Sequence, residues 1–253
     1  MNICVVLPCF KVQNKIYSVY KKLIKLKINK IIFVDDCCPQ KSIKFLSDKI
    51  NYKNNKKIQF VYLKKNLGVG GATLTGFNLA LKQGYDVVIK FDSDNQHFIS
   101  DLKNLIKKLK MKNVYFCKGY RSLNIKKTIK TGMPLIRIFG AIMLTYITRI
   151  ITQNYKVRDV TNGLLGLKTK ILKKIKINKI KKNYFFEQDL IFHLSLNKIK
   201  IDQIETKVLY ANEKSNLSEY KVLIPFIMYH SQNILISLLF KFRKLIKLKF
   251  FFK

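Results

Sequence analysis

Asp92-Ser93-Asp94-Asn95-Gln96-His97 puts two carboxylates two residues apart and a side-chain amide two residues further on. Oxygen donors so spaced suit a hard divalent cation, Mg²⁺ or Mn²⁺, which keeps positions open for phosphate oxygens. An ion held there would offset the charge on a departing diphosphate. A solvated acidic turn that caps the next helix looks the same in isolation. Context separates the two readings. Val87–Phe91 is an apolar run, so the turn stands at a strand end. A second acidic pair, Asp35-Asp36, ends another apolar run, Ile31–Val34. In a chain with 14 acidic and 50 basic residues, four aspartates at two strand ends are a concentration.

Other residues could join this chemistry. Asp35 and Asp36 suit hydrogen bonding to the base and ribose of a nucleotide, or else a turn and helix cap. Lys118-Gly119-Tyr120-Arg121 follows the apolar run Val114–Cys117, and its Arg121 can clamp phosphate with a planar fork. Arg137, Arg149 and Arg158 stand out because lysine dominates the basic residues. Glu187 and Asp189 open a predicted helix, where they either take a proton from an acceptor or compensate the helix dipole. Gly68-Val69-Gly70-Gly71 lacks the full dinucleotide spacing, so close packing is preferred to a phosphate cradle. His97, His193 and His230 share no ligand spacing and read as structural or surface residues. Cys37-Cys38 has no histidine partner for a nucleophilic role.

The elements that must position these groups alternate. Apolar runs Ile3–Leu7, Ile31–Val34, Ile58–Leu63, Val87–Phe91 and Val114–Cys117 read as strands. Helical spacing over residues 14–27, 40–50, 98–110 and after Gly71 separates them. Continuously apolar strands imply a mostly parallel α/β sheet with helices on both faces. Ligands bind beyond the C-terminal strand ends of such sheets, where the aspartates lie. Residues 134–153 predict a long amphipathic or mostly buried helix, 185–196 a shorter one and Ile201–Val208 a strand. No repeat or flexible linker interrupts the chain, which predicts one domain over 1–220 and a C-terminal extension over 221–253.

Composition narrows the class. A chain of 253 residues that is 48% hydrophobic can bury a core. The net charge of +36 attracts nucleic acid, anionic headgroups or phosphorylated substrates, although the excess of Lys, Ile, Asn, Phe and Tyr also matches AT-rich codon drift. No recognised nucleic-acid motif appears, so no specific nucleic-acid partner is expected. Five cysteines without CxxC spacing argue against a disulfide framework or structural zinc and for a reducing compartment. The N-terminus lacks the marks of a signal peptide. The best membrane-span candidate, Val222–Phe240, carries His230-Ser231-Gln232-Asn233 in its middle and is not expected to cross.

The ordered set VVLPCF, VDDCCPQKS, NLGVGGATLTGF, DVVIKFDSDNQH, KGYR, RDVTNG, FFEQDL and YANEKSNL resembles glycosyltransferase family 2. The likeness is nearest to the branch of dolichol-phosphate mannosyltransferase and its bacterial relatives, and it covers about residues 3–220. It implies a GT-A fold and transfer, with inversion, of a hexose from a nucleoside-diphosphate sugar. It implies that Pro8, Asp35 and Asp36 line the nucleoside pocket. Asp92, Asp94 and Gln96 match the metal and diphosphate site, and Arg121 the arginine near the donor phosphates. Glu187 and Asp189 match the acidic motif beside the acceptor, and Lys214 and Ser215 a late motif that helps close the site. Cys37-Cys38 replaces the usual Gly-Ser. The QxxRW motif of processive members is absent, since the chain has no Trp, which implies one sugar per acceptor.

The expected acceptor is a polyprenyl phosphate, with a lipid-linked or soluble saccharide as the alternative. Asp189 or Glu187 would deprotonate a sugar hydroxyl, whereas a phosphate acceptor needs no base and would be held by Arg137 and the basic surface. The expected setting is peripheral, on an anionic membrane at its cytoplasmic face. Residues 222–253 would be either an interfacial amphipathic segment or a core helix with a basic tail.

Overall fold

The computed structural model describes residues 1–52, 54–122, 132–175, 177–207 and 228–236. Lys214, Ser215 and most of the 221–253 extension lie outside the described residues.

Strand β1 (Ile3–Cys9) shows how both faces of the sheet are covered. Ile3, Val5, Leu7 and Cys9 enter one core cluster, while Cys4 and Val6 enter a second. β2 (Lys30–Asp35) divides the same way, with Ile31 and Phe33 on one side and Ile32 and Val34 on the other. The period-2 alternation of a strand thus serves two cores at once, so no polar face is left. The first core is roofed by α1 (Gln13–Ile24), α2 (Ser42–Lys49) and α4 (Ile99–Lys110), through residues such as Ile16, Ile43 and Leu105. The second is roofed by α3 (Gly68–Lys82), α6 (Lys170–Lys174) and α7 (Phe186–Leu196), through Phe77, Leu172 and Leu190.

Among the described residues, seven strands form one sheet in the order β3-β2-β1-β4-β6-β5-β7. β3 is Ile58–Tyr62, β4 Val87–Lys90, β5 Phe116–Tyr120, β6 Leu165–Lys168 and β7 Asp202–Glu205. β6 alone runs antiparallel, between β4 and β5. Its four residues, LGLK, are interrupted by Gly166 and Lys168 and so lack the continuous apolar pattern of a strand. Gly166 makes room for it: a Cβ there would lie 2.7 Å from Leu109 and 2.9 Å from Ile89.

The fifth strand starts two residues later than its apolar run predicts and continues through Lys118 and Gly119. It can do so because the Lys118 ammonium, fully buried, donates to the Asn162 carbonyl. The long helix is α5 (Leu135–Thr152), and residues 228–236 form α8. α8 is not a detached tail: Tyr229 stacks on Phe185 at 4.7 Å, and Tyr229, His230 and Asn233 are buried. The glycines opening α3 serve close packing, as the spacing suggests. A Cβ on Gly70 would lie 2.6 Å from the Lys182 carbonyl, and Gly71 N–H donates to that same oxygen.

Candidate active site

The C-terminal edge of β1, β2 and β4 frames a cavity of about 380 Å³, within the range of small-molecule sites. Pro8 from β1, Asp36 after β2, Gly68 and Val69 from α3, and Asp92 and Asp94 after β4 share its wall with Lys11 and Lys15. Each acid stands there because an apolar strand ends shortly before it. Asp36 Oδ1 accepts the Leu67 N–H at 2.6 Å, and burial pushes its carboxyl above the ordinary range. Asp35 is buried and accepts the Cys38 N–H at 2.7 Å, so it also braces the turn after β2.

The turn after β4 is held from several sides. Ser93 donates to the Pro8 carbonyl at 2.6 Å, tying β4 to β1. Gln96 N–H donates to Asp94 Oδ1 at 3.1 Å, and Asn95 adopts the left-handed conformation that the turn requires. Gln96 is not in the cavity wall, which Asp92 and Asp94 share. Asp92 Oδ1 lies 2.6 Å from Lys90 Nζ, and Asp92 Oδ2 lies 3.0 Å from His97 Nε2. Burial pushes the Asp92 carboxyl up, but the Lys90 ammonium and the His97 hydrogen bond together outweigh it and hold the group below the carboxylate range. Asp94 moves the other way, raised by burial and by the charge on Asp92.

Lys90 is a residue that sequence reasoning missed. Its side chain is 1% exposed, and its Nζ reaches Asp92 Oδ1, Glu187 Oε1 at 3.1 Å and the Gly163 carbonyl at 3.2 Å. Burial pushes its pKa down, yet the two carboxylates outweigh that, so it stays an ammonium. Gly163 is needed beside it: a Cβ there would fall 1.9 Å from Asp92 Oδ2 and 2.8 Å from Lys90 Nζ. The available signal was a lysine inside an otherwise apolar strand, a charge that burial obliges to find partners.

Glu187, at the start of α7, is brought into this cluster, and Asp189 is not. Asp189 Oδ2 accepts the Lys181 N–H at 2.7 Å and Oδ1 accepts the Tyr229 hydroxyl at 3.0 Å, which fastens α7 to α8. Arg121 departs further from its expected place. Its Nε and NH2 grip Asp159 Oδ2 and Oδ1 at 2.7 and 3.2 Å, and NH2 also meets Thr161. Burial raises the Asp159 carboxyl, but Arg121 outweighs it and holds it well below the carboxylate range. Arg121 lines a second cavity, with Tyr120, Tyr146, Arg149 and Arg158, and not the one that holds Asp92 and Asp94. In this structure the guanidinium expected near donor phosphates is thus paired with the fully buried Asp159. His97, expected to be structural, is buried and fixes Asp92.

Among the described residues, no three His, Cys, Asp or Glu side chains converge as a metal centre. The donor set still fits Mg²⁺ or Mn²⁺. Two neighbouring carboxylates share a cavity wall, and one of them is destabilised as an anion by the other, which a cation would relieve. Such ions take one or two carboxylates and complete their shell with water and substrate phosphate.

Comparison with known proteins bears on family and fold. A model of glycosyl transferase family 2 matches residues 4–176. The chain is 27% identical over 238 residues to the UDP-N-acetylglucosamine–dolichyl-phosphate N-acetylglucosaminyltransferase of Methanococcus voltae, covering 90% of this chain and 93% of that one. It is 22% identical over 202 residues to the polyprenol monophosphomannose synthase of Mycolicibacterium smegmatis, covering 75% and 69%. Among solved structures, glucosyl-3-phosphoglycerate synthase from Mycobacterium tuberculosis with phosphoglyceric acid superimposes with a TM-score of 0.62 at 14% identity, over 94% of this chain and 78% of that one. That likeness shows the GT-A fold. With the matched model spanning β1 to α6 and the acids ordered along one sheet edge, the chain belongs to glycosyl transferase family 2, in its dolichol-phosphate mannosyltransferase-like branch.

Proposed function

We propose that this glycosyltransferase moves one hexose from a nucleoside-diphosphate sugar to a polyprenyl phosphate, with inversion, at a membrane surface. The observation that carries this reading is the shared wall of Asp36, Asp92 and Asp94, which sets a candidate nucleoside-reading acid in the same cavity as a candidate diphosphate-reading pair. Asp92 and Asp94 would hold Mg²⁺ or Mn²⁺, which when bound supplies positive charge to the leaving diphosphate. Lys90 and His97 fix the orientation of Asp92, while Ser93 anchors the turn to β1.

The state of the acidic motif favours a phosphate acceptor over a sugar hydroxyl. A hydroxyl needs a general base within hydrogen-bond reach. Glu187 is ion-paired to a buried ammonium, and both Asp189 oxygens are occupied. A polyprenyl phosphate is already anionic and needs neither. The names of the Methanococcus and Mycolicibacterium relatives point to acceptors of the same class.

A thermal-shift screen of UDP-, GDP- and TDP-sugars with and without Mn²⁺ tests the donor side, because a ligand stabilises the state it binds. One nucleotide sugar should raise Tm only with the divalent ion. Transfer of labelled sugar to a short-chain polyprenyl phosphate tests the acceptor side. Transfer to saccharides and not to the phosphate would overturn that choice.

A further inference from the structure

The end of β1 lies between the two acidic turns of the candidate site. β1 pairs with β2 on one side and with β4 on the other. The turn after β2 carries Asp36, and the turn after β4 carries Asp92 and Asp94. Residues 10–12, which lead from β1 into α1, are fastened on the β2 side. Lys11 N–H donates to Cys38 Sγ at 3.0 Å, and Val12 N–H donates to Ser42 Oγ at 3.1 Å. On the β4 side, the Ser93 hydroxyl holds the Pro8 carbonyl.

The residue fixed in this way has an uncommon backbone. Lys11 has φ +55°, in the left-handed region that a glycine enters without steric cost and a lysine does not. Strain of that kind gathers in ligand sites, where it aims a side chain. Lys41 and Lys198 share the conformation but not the cavity wall. The Lys11 ammonium lies 5.4 Å from the centre of the Phe10 ring, and Phe10 lines the same cavity. An aromatic face attracts a cation without neutralising it. No ion pair among the described residues involves Lys11.

Charge gives the position its meaning. Asp36, Asp92 and Asp94 line this cavity, and their carboxylates repel an arriving diphosphate. The cations of the same wall, among the described residues, are Lys11 and Lys15, whereas Arg121 lines the second cavity. We propose that Lys11 binds the diphosphate of the nucleotide donor, and so sets this chain's preference for a nucleoside diphosphate over a nucleoside with a shorter phosphate. A diphosphate that joins a nucleoside read by Asp36 to an ion held by Asp92 and Asp94 passes the end of β1, where this ammonium stands. Lysine meets phosphate as a point charge on a flexible stem, which suits a group that must also reach an ion. The inference rests on the nucleotide-donor reading and names a side chain that meets the donor's phosphates.

Binding of UDP, GDP and TDP to the full chain, with Mn²⁺ present, is measured by calorimetry, together with the parent nucleoside of whichever binds. Lys11→Met should weaken binding of the diphosphate roughly tenfold or more, as loss of a charged hydrogen-bond partner does. Lys11→Arg, which keeps the charge, should retain most of the affinity. The nucleoside carries no phosphate, so it should bind the unaltered protein and the Lys11→Met variant alike. Added salt should cost the unaltered protein more diphosphate affinity than it costs Lys11→Met, because it screens the contact that the variant lacks. Lys11→Gly separates charge from backbone. It removes the ammonium and relieves the left-handed strain, so its Tm should stay close to that of the unaltered protein while its diphosphate affinity falls as in Lys11→Met. Diphosphate affinity that is undiminished in Lys11→Met and Lys11→Gly overturns the proposal and leaves the donor reading standing. An equal loss of affinity for the nucleoside also overturns it, since the turn and not the charge would then be at work. If none of the three diphosphates binds the unaltered protein, the donor reading falls and this contact with it.

Discussion

The Lys90 ammonium lies 3.1 Å from the Glu187 carboxylate and so joins the end of β4 to the start of α7. The same nitrogen holds Asp92 at 2.6 Å, so one ammonium joins the wall of the Asp92–Asp94 cavity to the acidic motif. Removing one partner of a buried ion pair leaves the other charge uncompensated. Lys90→Met should therefore lower the unfolding free energy by about 3 kcal/mol, read from urea denaturation. Mn²⁺ should stabilise both proteins, and the variant more, because the ion takes over the compensation of Asp92 that Lys90 supplies. Equal effects of Mn²⁺ on both would mean that Asp92 is not a metal ligand.

Asp94 makes a cleaner test of the metal, because it supports less of the structure around it. It accepts a hydrogen bond from Gln96 N–H, and burial and Asp92 already disfavour its charge. Asp94→Asn should keep the Tm of the unliganded protein within a few degrees and reduce sugar transfer by about a hundredfold or more. Full activity in the variant would remove the ion from the mechanism.

Gly163→Ala asks whether the crowding around Asp92 is functional. The added Cβ would fall 1.9 Å from Asp92 Oδ2, so the carboxylate must move. Mn²⁺-dependent binding of the nucleotide should weaken by roughly ten- to a hundredfold, measured by calorimetry. Gly84→Ala is the control. Its φ of +76° strains an alanine, but no atom lies within 4 Å of the new Cβ. It should cost about 1 kcal/mol of stability and leave nucleotide affinity unchanged.

The Arg121–Asp159 pair should give the protein a characteristic response to acid. The folded-state pKa of Asp159 is depressed, so its contribution is complete above the unfolded value near 4 and fades as pH falls through the folded value. Asp159→Asn should be about 3 kcal/mol less stable than the unaltered protein at pH 7. The gap should narrow steadily below about pH 4. A gap that stays the same from neutral pH down to about pH 3 would assign the loss to packing and not to charge.

Much of the site was legible because the rule behind it is local. An apolar run followed at once by acids predicts carboxylates at a strand end, and Asp36, Asp92 and Asp94 obey it. What escaped was decided by partners far away in sequence. The pairing of Arg121 is not visible locally, because Asp159 stands 38 residues later. Lys90 was hidden by composition, since one lysine among so many carries little signal until its burial is known. Asp189 and Glu187 look equivalent in FFEQDL, and partners outside that segment distinguish them: Lys90 for Glu187, Lys181 and Tyr229 for Asp189. The position of β6 followed from no apolar pattern, because LGLK is broken by the glycine whose gap lets the strand pack.

The reversal of β6 has a consequence for how this chain tolerates change. Its first residue, Leu165, pairs with Lys90, and its last, Lys168, pairs with Val87. Every parallel strand delivers its exit to the reacting edge, whereas this one delivers its entrance. Extra residues inserted just before it, in the connection from α5, would displace Asp159 and Gly163 together. Extra residues placed just after it would emerge on the far rim, beside Asp86, where Thr169 is anchored and no chemistry is carried. Lengthening of the polypeptide should thus be harmless downstream of this short segment and damaging upstream of it, the reverse of what holds for its neighbours.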